Sequence, residues 1–198
     1  MACRLRGFIP GFTILELLFA LAIAGTLTTI AVPQGLRALD DFRTRAAARY
    51  LAQRLGDARL RAIQRARAHG LRFEPATPDY RITTVMDGNA NGLRLTDIQR
   101  GVDRTLTEPE WIGSHFQDVV FGILDGVPDA DGQPVASSDG VRVGTSKLLA
   151  MNADGTSSSG TLYVHGRDRS QYAVRVLGVT GRVRVLKYDL GRRRWIDQ

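Results

Sequence analysis

One stretch constrains this chain more than any other: "GFTILELLFALAIAGTLTTIAV", residues 11–32. From Phe12 to Val32 the only charged residue is Glu16. As a helix rising about 1.5 Å per residue the stretch is about 31 Å long, which matches a bilayer hydrocarbon core of roughly 30 Å. A carboxylate inside such a helix costs about 2.5–3.5 kcal/mol on insertion scales and marks function by default. A secretory signal would carry a shorter apolar core, a small-x-small cleavage site and no acid. A plain anchor fits the length but leaves Glu16 unexplained. Arg4 and Arg6 precede the span, and Arg37, Arg43 and Arg45 follow it. Flanking charge therefore sets no orientation.

Pro33 is expected to end or kink the apolar helix, because proline lacks an amide donor and clashes with the preceding turn. Helical patterning then resumes. Ala47, Leu51, Leu55, Ala58, Ala62 and Ala66 recur at three- and four-residue steps, opposite Arg43, Arg54, Arg61 and Arg65. Gly70 is the expected stop, with Arg65, Arg67 and His69 suiting the helix dipole. One long helix, half apolar and half amphipathic, is thus predicted from about Phe12 to His69.

Beyond Gly70 short β-like runs alternate with turn residues. The expected strands are Leu71–Glu74, Tyr80–Met86, Val119–Leu124, Lys147–Met151, Thr161–His165, Tyr172–Leu177 and Arg182–Tyr188. "GVTG" between the last two signals a hairpin. The fold class expected is α+β: a long N-terminal helix packed on a mostly antiparallel sheet.

Enzyme signatures are lacking. There is no GxSxG, HExxH, CxxC or P-loop pattern, and the one cysteine is Cys3. His69, His115 and His165 show no metal-ligand spacing. Neither enzyme activity, a cofactor, a metal nor a small-molecule substrate is expected. The net charge of +7 is carried almost wholly by arginine, with Lys147 and Lys187 the only lysines. Such a surplus permits anionic partners without demanding them.

Gly11–Phe12–Thr13–Ile14–Leu15–Glu16, with a basic leader before it and an apolar run after it, resembles the type IV prepilin signal. The closing "GTLYVHGRDRSQYAVRVLGVTGRVRVLKYD" resembles the GspH/FimT family of minor pilins and type II secretion pseudopilins. The resemblance implies a leader at 1–11, cut by a prepilin peptidase between Gly11 and Phe12, and N-methylation of Phe12. It implies a transmembrane and assembly helix over 12–33, an amphipathic continuation over 34–70 and a periplasmic β-rich domain over 71–198. The expected setting is the inner membrane, crossed once. The expected partners are the peptidase and the other pilins or pseudopilins of a secretion pseudopilus or type IV pilus.

Glu16 then acquires a physical role. A new α-amino group at Phe12 has a reference pKa of about 7.7–8.0 and is cationic near neutrality. Glu16 of one subunit can pair with the amine of its neighbour, and a buried carboxylate is tolerable only when paired. One such pair fixes register, as single buried polar residues do in coiled coils.

Two further motifs leave alternatives open. In Gly181–Arg182–Val183–Arg184, residues two apart share a strand face, so Arg182 and Arg184 project together. With Arg167, Arg169, Arg175 and the terminal "GRRRW" they form either a solvated face or a cationic patch for DNA, with Trp195 available for stacking. The GRxR resembles that of DNA-binding members serving natural transformation, which makes DNA the alternative partner. "DGNANG", Asp87 to Gly92, matches the opening of a calcium loop but has Ile98 where the twelfth-position acid belongs. An Asn/Gly hairpin turn is the other reading. The acidic loop with Asp125, Asp129, Asp131 and Asp139 is expected to be solvated, with no site.

Overall fold

The computed structural model describes residues 11–135, 138–167 and 170–198. Arg169 and residues 1–10, with Cys3, Arg4 and Arg6, lie outside the described residues. The chain divides into two units, Met1–Leu39 and Asp40–Gln198. One helix, α1 (Ile14–Arg65), contributes to both.

In the first unit every residue from 11 to 39 is exposed. This part of α1 is long and apolar enough to cross a membrane, with a mean hydropathy of 2.0 over its most apolar window. Pro33 neither ends nor interrupts the helix, which runs through it. The missing proline donor removes one backbone bond, and the remaining ladder carries the element. The threonine hydroxyls turn inward on the backbone: Thr26 donates to the Ile23 carbonyl (2.9 Å), Thr28 to Ala24 (2.7 Å) and Thr29 to Thr26 (2.7 Å). That satisfaction within the segment is what an apolar medium requires of polar groups.

The second unit is α+β. Its first sheet joins β1 (His69–Pro75), β2 (Tyr80–Met86), β3 (Arg104–Thr105), β4 (Glu110–Trp111) and β7 (Leu148–Met151). The order is β3-β2-β1-β7, with β4 also paired to β2. The second sheet joins β5 (Val120–Phe121), β6 (Val141–Arg142), β8 (Gly160–His165), β9 (Gln171–Leu177), β10 (Arg182–Asp189) and β11 (Arg194–Asp197). Its order is β11-β10-β9-β8-β5, with β6 also on β8. Two short helices, α2 (Leu95–Gln99) and α3 (Ile112–His115), sit in the connections.

Both sheets are held on the same helical stripe. Ala47, Ala48, Leu51, Leu55, Ala58 and Ala62 of α1 form one buried cluster with Leu71, Phe73, Ile82, Leu149 and Met151 of the first sheet. Leu162, Val164, Tyr172, Val174 and Val176 of the second sheet join that cluster. The stripe is rich in alanine, which lets a strand layer approach the helix closely. Burial of such side chains contributes roughly 25 cal/mol per Å² of apolar area removed from water.

The helix ends earlier than the sequence suggests. The Arg67 N–H donates to the Ala62 carbonyl (3.2 Å), and the Ala66 N–H donates to that of Ile63 (3.4 Å). Ala66 takes a positive φ of 49°. This is the Schellman arrangement with alanine where glycine is usual, and it leaves Ala66 exposed rather than on the apolar stripe. Gly70, the expected stop, is instead inside β1. A Cβ there would collide with the Leu149 carbonyl oxygen of β7 and stand 2.9 Å from the Leu93 side chain. The glycine serves close strand packing, not helix termination.

The strand expected at Val119–Leu124 contracts to Val120–Phe121. Past it, the buried Gln171 side chain replaces ladder partners, accepting from the Leu124 N–H (2.8 Å) and donating to the Gly122 carbonyl (3.0 Å). The antiparallel strands fall into two sheets, with β7 closing on β1 in the first and β8 pairing with β9 in the second.

Candidate functional site

The first candidate is the start of α1. Thr13 precedes the first helical residue, and its hydroxyl accepts the Glu16 backbone N–H (3.2 Å). The Glu16 carboxylate reaches back to the Thr13 N–H (3.5 Å). The pair is a capping box, Thr-x-x-Glu, in which two orphan amides of the first turn are satisfied reciprocally. Sequence reading did not assign Glu16 this role, although the Thr13-to-Glu16 spacing signals it. The carboxylate is thereby aimed toward the chain's entry into the helix, one residue from Phe12. Gly11 lies before the helix, and Phe12 is 78% exposed. Gly11, Phe12 and Glu16 are thus brought within one turn at the head of an exposed apolar helix.

The second candidate is the β9–β10 hairpin. Its strands pair Arg182 with Leu177 and Arg184 with Arg175, and the connection turns at Gly181, with a φ of 60°. Arg182 and Arg184 are exposed, whereas Val183 and Val185 pack against the core under α1. The shared face expected from the alternation is present. Its charge is partly cancelled within the chain. Arg184 Nε bonds Asp197 Oδ2 (3.0 Å), and Arg175 Nη1 lies 2.7 Å from Asp131 Oδ1. The Arg184 hydrogen bond holds the Asp197 carboxyl below its ordinary value. Arg182 makes no ion pair among the described residues. Arg167 contributes its backbone N–H to Asp40 (2.8 Å) and stands in the β8–β9 connection.

Trp195 departs from expectation. It packs against Tyr188 and Tyr163, with ring centroids 5.3 and 5.8 Å away, and its indole N–H donates to the Pro128 carbonyl (3.1 Å). Together with Leu186, Ile123 and Val127 it forms a second apolar cluster beneath the 123–135 loop. The half-buried ring pins that loop.

In the 87–92 loop, Asp87 is 2% exposed. Its carboxylate accepts the N–H groups of Asn89 (3.0 Å), Ala90 (2.8 Å) and Gly92 (2.9 Å). Asp103 closes the other side by accepting from Gly88 (3.0 Å) and Arg94 (3.1 Å). The two carboxylates act as backbone caps, as side-chain oxygens do in Asx turns. The acidic loop is likewise tied into the fold. Asp139 accepts from the Tyr80 hydroxyl (2.8 Å) and the Val141 N–H (2.9 Å), and Lys147 bridges to it. Burial first, then Asp139, pushes the Tyr80 hydroxyl up to about 12.

Two polar networks fasten α1 to the sheets. Glu110 takes Arg54 (2.8 Å), the Tyr50 hydroxyl (3.0 Å) and His115 (3.0 Å). Asp41 takes the Tyr172 hydroxyl (3.1 Å) and Lys187 (2.7 Å). Burial, reinforced by Asp41, pushes the Tyr172 hydroxyl well above its ordinary value. Among the described residues no group of three or more His, Cys, Asp or Glu is gathered as for a metal.

The chain matches no protein-family model, and neither a curated protein nor a solved structure shows significant similarity to it.

Proposed function

We propose that this chain is a minor pilin or pseudopilin subunit of a type II secretion system or type IV pilus. It is made as a prepilin, cut after Gly11, N-methylated at Phe12 and held in the inner membrane with its C-terminal domain in the periplasm. From there it enters a filament. One observation carries this reading: α1 is apolar on all sides from Ile14 to Val32, exposed throughout that length, and bears its single carboxylate in the first turn. A helix hydrophobic all round must be buried in a membrane or among other helices. Both are required in turn of a subunit that passes from bilayer to filament.

The mechanism is assembly. Before cleavage Glu16 caps its own helix through Thr13. Cleavage creates a cationic amine at Phe12, and a neighbouring subunit's Glu16 then has a charged partner worth more than a neutral amide. Register follows from that pairing, and Leu17 to Val32 supply the packing seam.

Glu16→Gln separates the two roles. Glutamine serves equally at the third position of a capping box but carries no charge. The variant should be cleaved normally, while its recovery in sheared filaments falls at least about tenfold, since an unpaired buried amine is strongly unfavourable. Wild-type incorporation of the Gln variant would reduce Glu16 to a helix cap and overturn the assembly role.

A further inference from the structure

His69 is fully buried and stands at the start of β1, just past the end of α1. Its Nδ1 lies 2.9 Å from the Arg67 carbonyl oxygen. A carbonyl only accepts, so Nδ1 carries a proton, and in the neutral ring Nε2 presents a bare lone pair. That Nε2 is buried and has no partner. Leaving such an atom unsatisfied costs about 1–3 kcal/mol, so its surroundings matter.

Its ladder neighbours are both methionines. In the antiparallel ladders His69 is directly opposite Met86 on β2 and Met151 on β7. Direct partners on adjacent strands project from the same face, with Cβ atoms about 4.5–5.5 Å apart. The only two methionines beyond the initiator therefore flank the one histidine, among the described residues, whose Nε2 is both buried and unpartnered. Ser157 extends the row by bridging Met151, and its buried hydroxyl oxygen also has no partner. Met86, His69, Met151 and Ser157 thus follow one another across the sheet.

We infer that this row is a site for a soft monovalent metal ion, copper(I), held by His69 Nε2 and the Met86 and Met151 thioethers, with Ser157 Oγ as a further donor. Thioether donors select copper(I) over harder ions, and imidazole suits copper equally. Metal-binding histidines are oriented by donating their other ring N–H to a carbonyl, which is what His69 does with Arg67. The ligands are all neutral, which suits a singly charged ion better than a divalent one. The carbonyl end of α1 lies immediately before the site in sequence, and helix C-termini favour cations. Met86 is the half-buried member, so entry is from its side. Arg65 Nη1 sits 3.8 Å from the Met86 sulfur and must withdraw on binding; being exposed, it can.

The test uses the full chain in detergent with Cys3→Ser, which removes its one thiol. It is titrated anaerobically with copper(I) against the chelator bicinchoninate. One equivalent of copper should pass to the protein, and copper-edge X-ray absorption should report sulfur and nitrogen neighbours. The volume-conserving double variant Met86→Leu/Met151→Leu should bind at least about tenfold more weakly. No transfer from the chelator, unchanged affinity in the double variant, or a copper shell of oxygen and nitrogen alone would each overturn the site. They would leave His69 a core histidine beside ordered water. Should the double variant misfold by circular dichroism, the absorption spectrum of the Cys3→Ser protein decides on its own.

Discussion

Thr13 and Glu16 form a capping box, and under the proposed maturation the same carboxylate would serve a second state of the chain. In the uncut chain the glutamate closes the first helical turn on Thr13, and the same orientation leaves it beside the position where a new terminus would form. The oddity of an acid in an apolar run was legible in the sequence. The capping role was legible too, from the Thr-x-x-Glu spacing, yet it is overshadowed by the larger anomaly of the charge. At the other end of α1, Ala66 holds a left-handed conformation that costs an L-residue roughly 1–2 kcal/mol. Three- and four-residue periodicity assigns Ala66 to the buried stripe, because periodicity cannot register where the backbone reverses. Ala66→Gly should therefore raise stability by about 0.5–1 kcal/mol, the strain relieved less the added freedom of the unfolded chain. Chemical denaturation of the detergent-solubilised protein measures it. An unchanged or lower midpoint would mean that the turn tolerates alanine without strain.

Among the elements, strands with a long alternating pattern were legible. Tyr80–Met86 is found with the bounds expected, and the β9–β10 hairpin turns at the expected "GVTG". Two-residue strands such as β3, β4 and β6 have no period to read, and their existence depends on which neighbour the loops deliver. The packing of Trp195 was hidden for a related reason. Its sequence context is arginine, while its burial comes from Tyr163 and Pro128, far away in the chain. The arginine face of the hairpin is present in geometry and muted in charge, since Asp131 and Asp197 engage Arg175 and Arg184. The full chain should bind a short DNA duplex weakly at low salt, and equally so after Arg182→Ala/Arg184→Ala. Binding that is lost in this variant, with a salt slope lower by about two, would show that both arginines contact phosphate. It would move the protein to DNA uptake.

As a whole molecule the chain combines two regimes of burial. From Asp40 onward an alanine-rich helical stripe is shared by two antiparallel sheets, and the helix is inseparable from the core it organises. From residue 11 to 39 the same helix buries nothing within its own chain. Sequence alone conveyed that contrast, because hydropathy all round and hydropathy on one face are different patterns. It did not convey that one uninterrupted helix would pass through Pro33, nor that two sheets would share it. The central claim, that the exposed half is matured for membrane and filament, is tested most directly at its N-terminus. The full chain would be co-expressed with a prepilin peptidase, and the protein recovered from membranes analysed by intact mass and N-terminal peptide mass spectrometry. The expected first residue is Phe12 bearing an N-methyl group. A chain still beginning at Met1, or one cut at any bond other than Gly11–Phe12, would contradict it.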